Sequence, residues 1–259
     1  RGALATIGVS MGVFQIGRSI ITTYANFSDQ MATVQAVTGA TAAEMEALTE
    51  TAMKMGSTTA FTATQAGQGL EELTRAGLTA KQAIASLPAT LNLATADNLD
   101  LGRASEIVAV TLQQFGLKAS DAEHVADALA QTSASSSAGI LDLAEAMNYA
   151  GTIANQLGIG VDETLAAMGA LSNVGLKGSI AGTAVRAALL DSTMISLGQS
   201  TKKAQDAFAT LGIEPDAFNP EKVGLVGMIK ALSDAKASTA EITAMFGERG
   251  VSPVKALME

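Results

Sequence analysis

Apolar residues recur at three- and four-residue steps along most of the chain. The runs are cut by a glycine followed by an aliphatic residue, at Gly77-Leu78, Gly116-Leu117, Gly158-Ile159, Gly175-Leu176 and Gly212-Ile213. The spacing is helical. A glycine takes the left-handed position after a helix without a Cβ clash, and an apolar residue behind it packs back on the last turn. Ser, Thr or Asp soon after most of these pairs can cap the next helix. No alternating Val/Ile/Thr/Tyr run is bounded by hairpin turns, so strand signals are absent. The pattern predicts an all-α chain, a compact multi-helix module of about ten or more short helices, preceded by a longer N-terminal helix.

The start signals give the order. Val9, Val13, Ile16 and Ile20 alternate steps of four and three, and after a shift at Tyr24 the stripe continues through Phe27, Met31 and Val34. This resembles a coiled-coil seam with one stutter. It predicts a long first helix over 3–37 able to pair with copies of itself, and a division into residues 1–38 (amphipathic, self-associating) and 39–259 (compact module). Thr41-Ala42-Ala43-Glu44 reads as a capping box, and Thr62, Thr79, Ser120 and Ser238 each stand three residues before Gln, Gln, Glu and Glu. Asn98 or Asp100 starts a further helix. Others are expected over 138–157, 162–173, 179–192 and 201–211, with a polar loop at 133–137. Asn219-Pro220 offers a cap and an N1 proline, and Ser252-Pro253 starts a last helix. Pro88 must kink or divide the helix that begins at Thr79.

Composition removes most chemistry. The 259 residues include no Cys, no Trp and 1 His, so thiolate zinc sites, disulfides and cysteine nucleophiles are excluded. Aromatics are 3% against 48% for the whole hydrophobic class, so the core is built from small aliphatic side chains that let helices approach closely. A net charge of -9 repels phosphate backbones and argues against stable nucleic-acid binding. Arg1 opens the chain and no charged region with a cleavage site follows, so the sequence reads as a piece of something longer rather than as a signal peptide. The uncharged stretch from Gly2 to Gly17 ends at Arg18, short of the roughly 20 apolar residues of a membrane span.

Several small motifs resemble catalytic or binding signatures but lack the surroundings those need. Gly8-Val9-Ser10-Met11-Gly12 fits a nucleophile elbow, but that motif needs a sheet and a histidine base. Gly67-Gln68-Gly69 lacks its third glycine and its strand. Ser200-Thr201-Lys202-Lys203 lacks the partner motifs of S-x-x-K enzymes and reads as a cap. His124 with Glu123, Asp127 and Asp121 falls short of a ligand set and reads as a solvated helix face. Glu71-Glu72 has no apolar pocket signal around it. No catalytic, cofactor-binding or metal residue is assigned, no cofactor is expected, and the chain is not read as an enzyme.

An ordered series of short stretches carries a resemblance. They include Phe27 to Thr41, Ala52 to Ala63, Gly69 to Leu73, Arg75 to Leu78, Leu93 to Ala96, Gln114 to Leu117, Val125 to Asp127, Gly158 to Thr164, Gly175-Leu176-Lys177-Gly178-Ser179, Ala181-Gly182-Thr183-Ala184-Val185-Arg186 and Leu211 to Ile213. Over about 27–247 the chain resembles the shared core region of bacteriophage tail tape measure proteins. Two departures stand out. The family often has proline after the Gly-Thr-x-x-Arg helix, where Asp191-Ser192-Thr193 stands here, and Ser252-Pro253 is idiosyncratic.

The resemblance implies a structural protein of the virion, inside the tail tube or tip and in the host cytoplasm during assembly. Such proteins set tail length and leave the tube ahead of the DNA. Implied partners are the tail tube protein, tail tip or baseplate hub proteins, tail assembly chaperones and further copies of the chain. With the threefold and sixfold axes of phage tails, the self-association is expected to be a trimer. The alternative is a membrane-active module in transient contact with the host envelope. A segment interrupted by glycines and caps folds back on itself, so the length-setting part is expected elsewhere in the full protein.

Overall fold

The computed structural model describes the backbone of residues 5–259 and the side chains of residues 22–259. The described residues form α1 (Ala5–Thr38), α2 (Ala42–Thr58), α3 (Ala63–Arg75), α4 (Ala80–Ala96), α5 (Leu101–Gln114), a 3-10 turn (Ala119–Asp121), α6 (Ala122–Ser135), α7 (Ile140–Gln156), α8 (Val161–Asn173), α9 (Gly178–Ser196), α10 (Lys202–Leu211), α11 (Pro215–Phe218), α12 (Pro220–Asp234) and α13 (Thr239–Met258), and no strand. The fold is all-α.

Reciprocal caps open the helices where the sequence places them. Thr41 with Glu44, Thr62 with Gln65, Thr79 with Gln82 and Ser238 with Glu241 each exchange side-chain and backbone hydrogen bonds. Each such cap stabilises its helix by about 1 kcal/mol. All five Gly–aliphatic glycines have positive φ. At four of them the aliphatic N–H reaches back five residues: Leu78 to Leu73, Leu117 to Leu112, Ile159 to Ala154 and Leu176 to Leu171, at 2.8–3.1 Å. The same closure occurs at Leu99, Gln199 and Ala237, behind Asn98, Gly198 and Lys236.

Several boundaries differ from expectation. Ser120 does not form a box. Asp121 accepts the Lys118 N–H at 2.9 Å instead, and the 3-10 turn intervenes before α6. Helix α6 runs on to Ser135 through most of the expected loop, and α9 runs on to Ser196. Helix α4 is not divided at Pro88. The last helix does not start at Ser252. The break in α13 is at Gly247 (φ 70°, ψ 174°), and Pro253 lies inside the helical segment that follows. A similar break at Gly224 splits α12, and the short α11 was not foreseen.

The chain divides into two units, one ending at Ala109 and one spanning Val110–Glu259, so the boundary falls within α5. In the first unit α3 packs on α1, α2 and α4. Phe27, Met31 and Val34 of α1 are buried with Leu48, Leu70, Leu73 and Leu87. That half of the apolar seam is therefore intramolecular core. The side chains of Val9, Val13, Ile16 and Ile20 lie outside the described residues. In the second unit α9 touches α7, α8, α10, α11, α12 and α13. Its inner residues Ala181, Val185, Leu189 and Ile195 are buried among aliphatic side chains. Phe208, Phe218 and Phe246 form the unit's aromatic cluster, with centroids 4.9 and 6.4 Å apart.

Candidate functional site

Gly67, Gly69 and Thr201 take part in packing and capping. Ser10 lies outside the described side chains. Gly67 and Gly69 sit buried inside α3. A Cβ at Gly67 would lie 3.0 Å from Gln30 Cγ, and one at Gly69 would lie 2.7 Å from Leu87 Cδ1, so both glycines serve helix contact. His124 is exposed and pairs with Asp162 of α8 at 2.9 Å, not with Glu123 or Asp127. No group of three potential metal ligands gathers among the described residues. Thr201 accepts the Ala204 N–H as a cap, and Lys202 pairs with Asp206.

Glu71 ties α3 to α1. It accepts from Gln30 Nε2 at 2.7 Å and from Arg75 at 2.7 and 2.9 Å. Burial pushes its carboxyl up, but the hydrogen bonds from Gln30 and Arg75 outweigh this and hold it below the ordinary glutamate value.

Two motifs of the second unit, Gly175–Ser179 and Ala181–Arg186, meet at α9. Lys177 Nζ donates to the Ser137 carbonyl, and Ser137 Oγ donates to the Ser172 carbonyl, so the α8–α9 turn is fastened to the segment before α7. Gly182 lies against the backbone of α7. A Cβ there would be 2.2 Å from the Ala146 carbonyl oxygen and 2.8 Å from Ala146 Cα. Only glycine permits this approach. Glu163 of α8 accepts the Val226 N–H at 2.6 Å, at the break beside Gly224. A carboxylate from another helix thereby caps the second half of α12.

Between α9 and α13 lies an open apolar cavity of about 620 Å³, lined by Tyr149, Ile180, Ala184, Phe246, Pro253 and Val254 among others. Asp191 and Arg249 reach the same cavity without forming an ion pair. Burial raises the Asp191 carboxyl above its ordinary value. The size and mainly apolar lining of this cavity suit apolar groups. The sequence did not reveal it: α9 is apolar on both faces, so periodicity cannot separate its inner face from its outer one. No helix among the described residues is long and apolar enough to cross a membrane.

Comparison with known proteins covers most of this framework. The family model described as phage-related minor tail protein matches residues 49–247. A tape measure protein of Pneumococcus phage Dp-1 is 32% identical over 98% of this chain, and a probable tape measure protein of Escherichia phage P2 is 29% identical over 81% of it. The chain spans only 22% and 25% of the lengths of these two relatives. No solved structure matches.

Proposed function

Because the chain belongs to the phage-related minor tail protein family, as a tape measure protein region, we propose that it is a folded structural module of the tail. The carrying observation is that similarity to a tape measure protein runs over 98% of a chain whose helices turn back at capped, glycine-closed corners. Written as one helix, 259 residues would reach roughly 390 Å. Chopped into short packed helices, they cannot set a length in proportion to residue number. The module therefore rides with the length-setting part, in the tube lumen or tip, and leaves ahead of the DNA. Its acidic charge suits that role, since it avoids phosphate contacts. Its partners are tube, tip and chaperone proteins of the tail. Residues 1–38 act as a self-associating segment beside module 39–259. With Phe27, Met31 and Val34 occupied internally, the Val9–Ile20 half of the seam carries any association into a trimer.

The test inserts about 20 residues after the exposed Gln199 in the phage, and measures tails by electron microscopy. Unchanged tail length is expected. Lengthening by about 30 Å, the helical rise of the insert, would show that this region is part of the ruler. Absence of the chain from purified tails would remove the structural role altogether.

A further inference from the structure

Helix α9 has a second seam. Ile180, Thr183, Ala187, Leu190, Met194 and Leu197 follow one another at steps of three, four, three, four and three. All six are exposed, with Ile180 at 59%, Leu190 at 38%, Met194 at 42% and Leu197 at 55%, and Ile180, Thr183 and Ala187 also line the open cavity beside α13. The inner face of the same helix is already filled by Ala181, Val185 and Leu189. An alternating 3-4 stripe is what a partner helix at a shallow crossing angle packs against, knob into hole. From Ile180 to Leu197 the stripe runs about 26 Å.

The charges beside the stripe identify the partner. With Ile180, Ala187 and Met194 as a positions and Thr183, Leu190 and Leu197 as d positions, Arg186 occupies g and Asp191 occupies e. In two parallel helices in register, g of one faces e of the other five residues on, which sets Arg186 against Asp191 of a second copy. Antiparallel pairing would instead set g against g and e against e, like charge against like. Within one chain neither residue has an ion-pair or hydrogen-bond partner among the described residues, and Asp191 is half-buried, so its charge is left uncompensated. We infer that the outer face of α9 is a self-association surface at which copies of this chain pair α9 helices in parallel, with Arg186 of each copy on Asp191 of its neighbour. Parallel pairing implies a rotation axis along the helices, which closes into a cyclic assembly. This surface is separate from the first-helix seam and does not depend on the tail reading.

Cysteine-free sequence makes the test direct. Thr183→Cys and Leu197→Cys are made singly in the full chain, with exposed Lys203→Cys of α10 as control, and disulfide-linked dimer is followed under mild oxidation. A disulfide requires Cα atoms within about 7 Å. Both seam variants should cross-link at least tenfold faster than the control. Thr183 and Leu197 stand at opposite ends of the seam. If each variant alone stays at the control rate while a mixture of the two cross-links, the pairing is antiparallel and the inference is overturned. If neither the single variants nor the mixture exceeds the control, the surface is not an interface between copies, even where light scattering shows association through the first helix. In the Leu197→Cys background, Arg186→Glu should slow cross-linking at least tenfold, and adding Asp191→Arg should restore it. A double variant as slow as the single one, with unchanged far-UV circular dichroism, overturns the parallel register.

Discussion

Replacing Gly182 with alanine adds one methyl group at the closest approach in the second unit. That carbon would lie 2.2 Å from the Ala146 carbonyl oxygen, 2.8 Å from its Cα and 2.9 Å from its carbonyl carbon. Favourable carbon contacts lie near 3.5–4.0 Å, so α7 and α9 must separate by about 1 Å. The obstacle is backbone and cannot rotate aside. Overpacking of this kind costs about 1–3 kcal/mol or more, and its rigid wall places it at the upper end. Alanine returns up to about 1 kcal/mol of helix propensity. The net expectation is a loss of about 2 kcal/mol, a fall in Tm of roughly 4–8 °C for a unit of this size. Thermal denaturation followed at 222 nm measures it, with the two units treated as separate transitions where they resolve. A variant equal to or more stable than the parent would show that propensity outweighs the clash and that α9 does not depend on glycine here.

Three further expectations follow from the caps and carboxylates. Gly116→Ala places a side chain at φ 62° in open space, so about 1 kcal/mol is lost to backbone strain alone. A neutral result in urea unfolding would mean that the turn has another conformation. Glu71 is held below its ordinary value, so its contribution is full above the unfolded pKa and is lost as pH falls through the lower folded value. Glu71→Gln should therefore flatten the acid limb of the first unit's stability profile below about pH 5, and an unchanged limb would exclude Glu71 as its source. Asp191 is raised, which penalises the folded unit once the carboxyl ionises, so Asp191→Asn should stabilise the dilute chain at neutral pH and slow cross-linking at Leu197→Cys. Stabilisation without that slowing would separate Asp191 from the interface.

Helix order and most corners were legible because local chemistry sets them. Thr41, Thr62, Thr79 and Ser238 need only their own third neighbour, and Gly77 or Gly158 needs only the preceding turn. What was not legible depends on distant residues. The break at Gly224 is accompanied by Glu163, 63 residues from Val226, whose N–H it accepts. Asn98 and Lys236 close turns in the left-handed region without glycine, so the glycine pattern passes over them. Ser252-Pro253 carried a start signal that the helix from Gly247 overrode. The cavity beside α9 could not be anticipated from composition. Helix α9 carries apolar residues on both its inner and its outer face, so periodicity gives no cue as to which face the rest of the unit covers.

The position of α9 also bears on how the second unit is made. It lies near the middle of its unit in sequence as well as in space, with α7 and α8 before it and α10 to α13 behind. A nascent chain emerging from the ribosome can therefore close the Gly182–Ala146 crossing as soon as Ser196 has cleared, before Phe208, Phe218 and Phe246 have emerged to cover the other side. The later helices then add to a finished scaffold, each over a short loop, which keeps loop-closure cost low and folding fast. Ribosome-bound chains halted beyond Ser196 should already protect α7 and α9 amides from exchange, and open amides at that stage would mean that the crossing waits for the aromatic cluster.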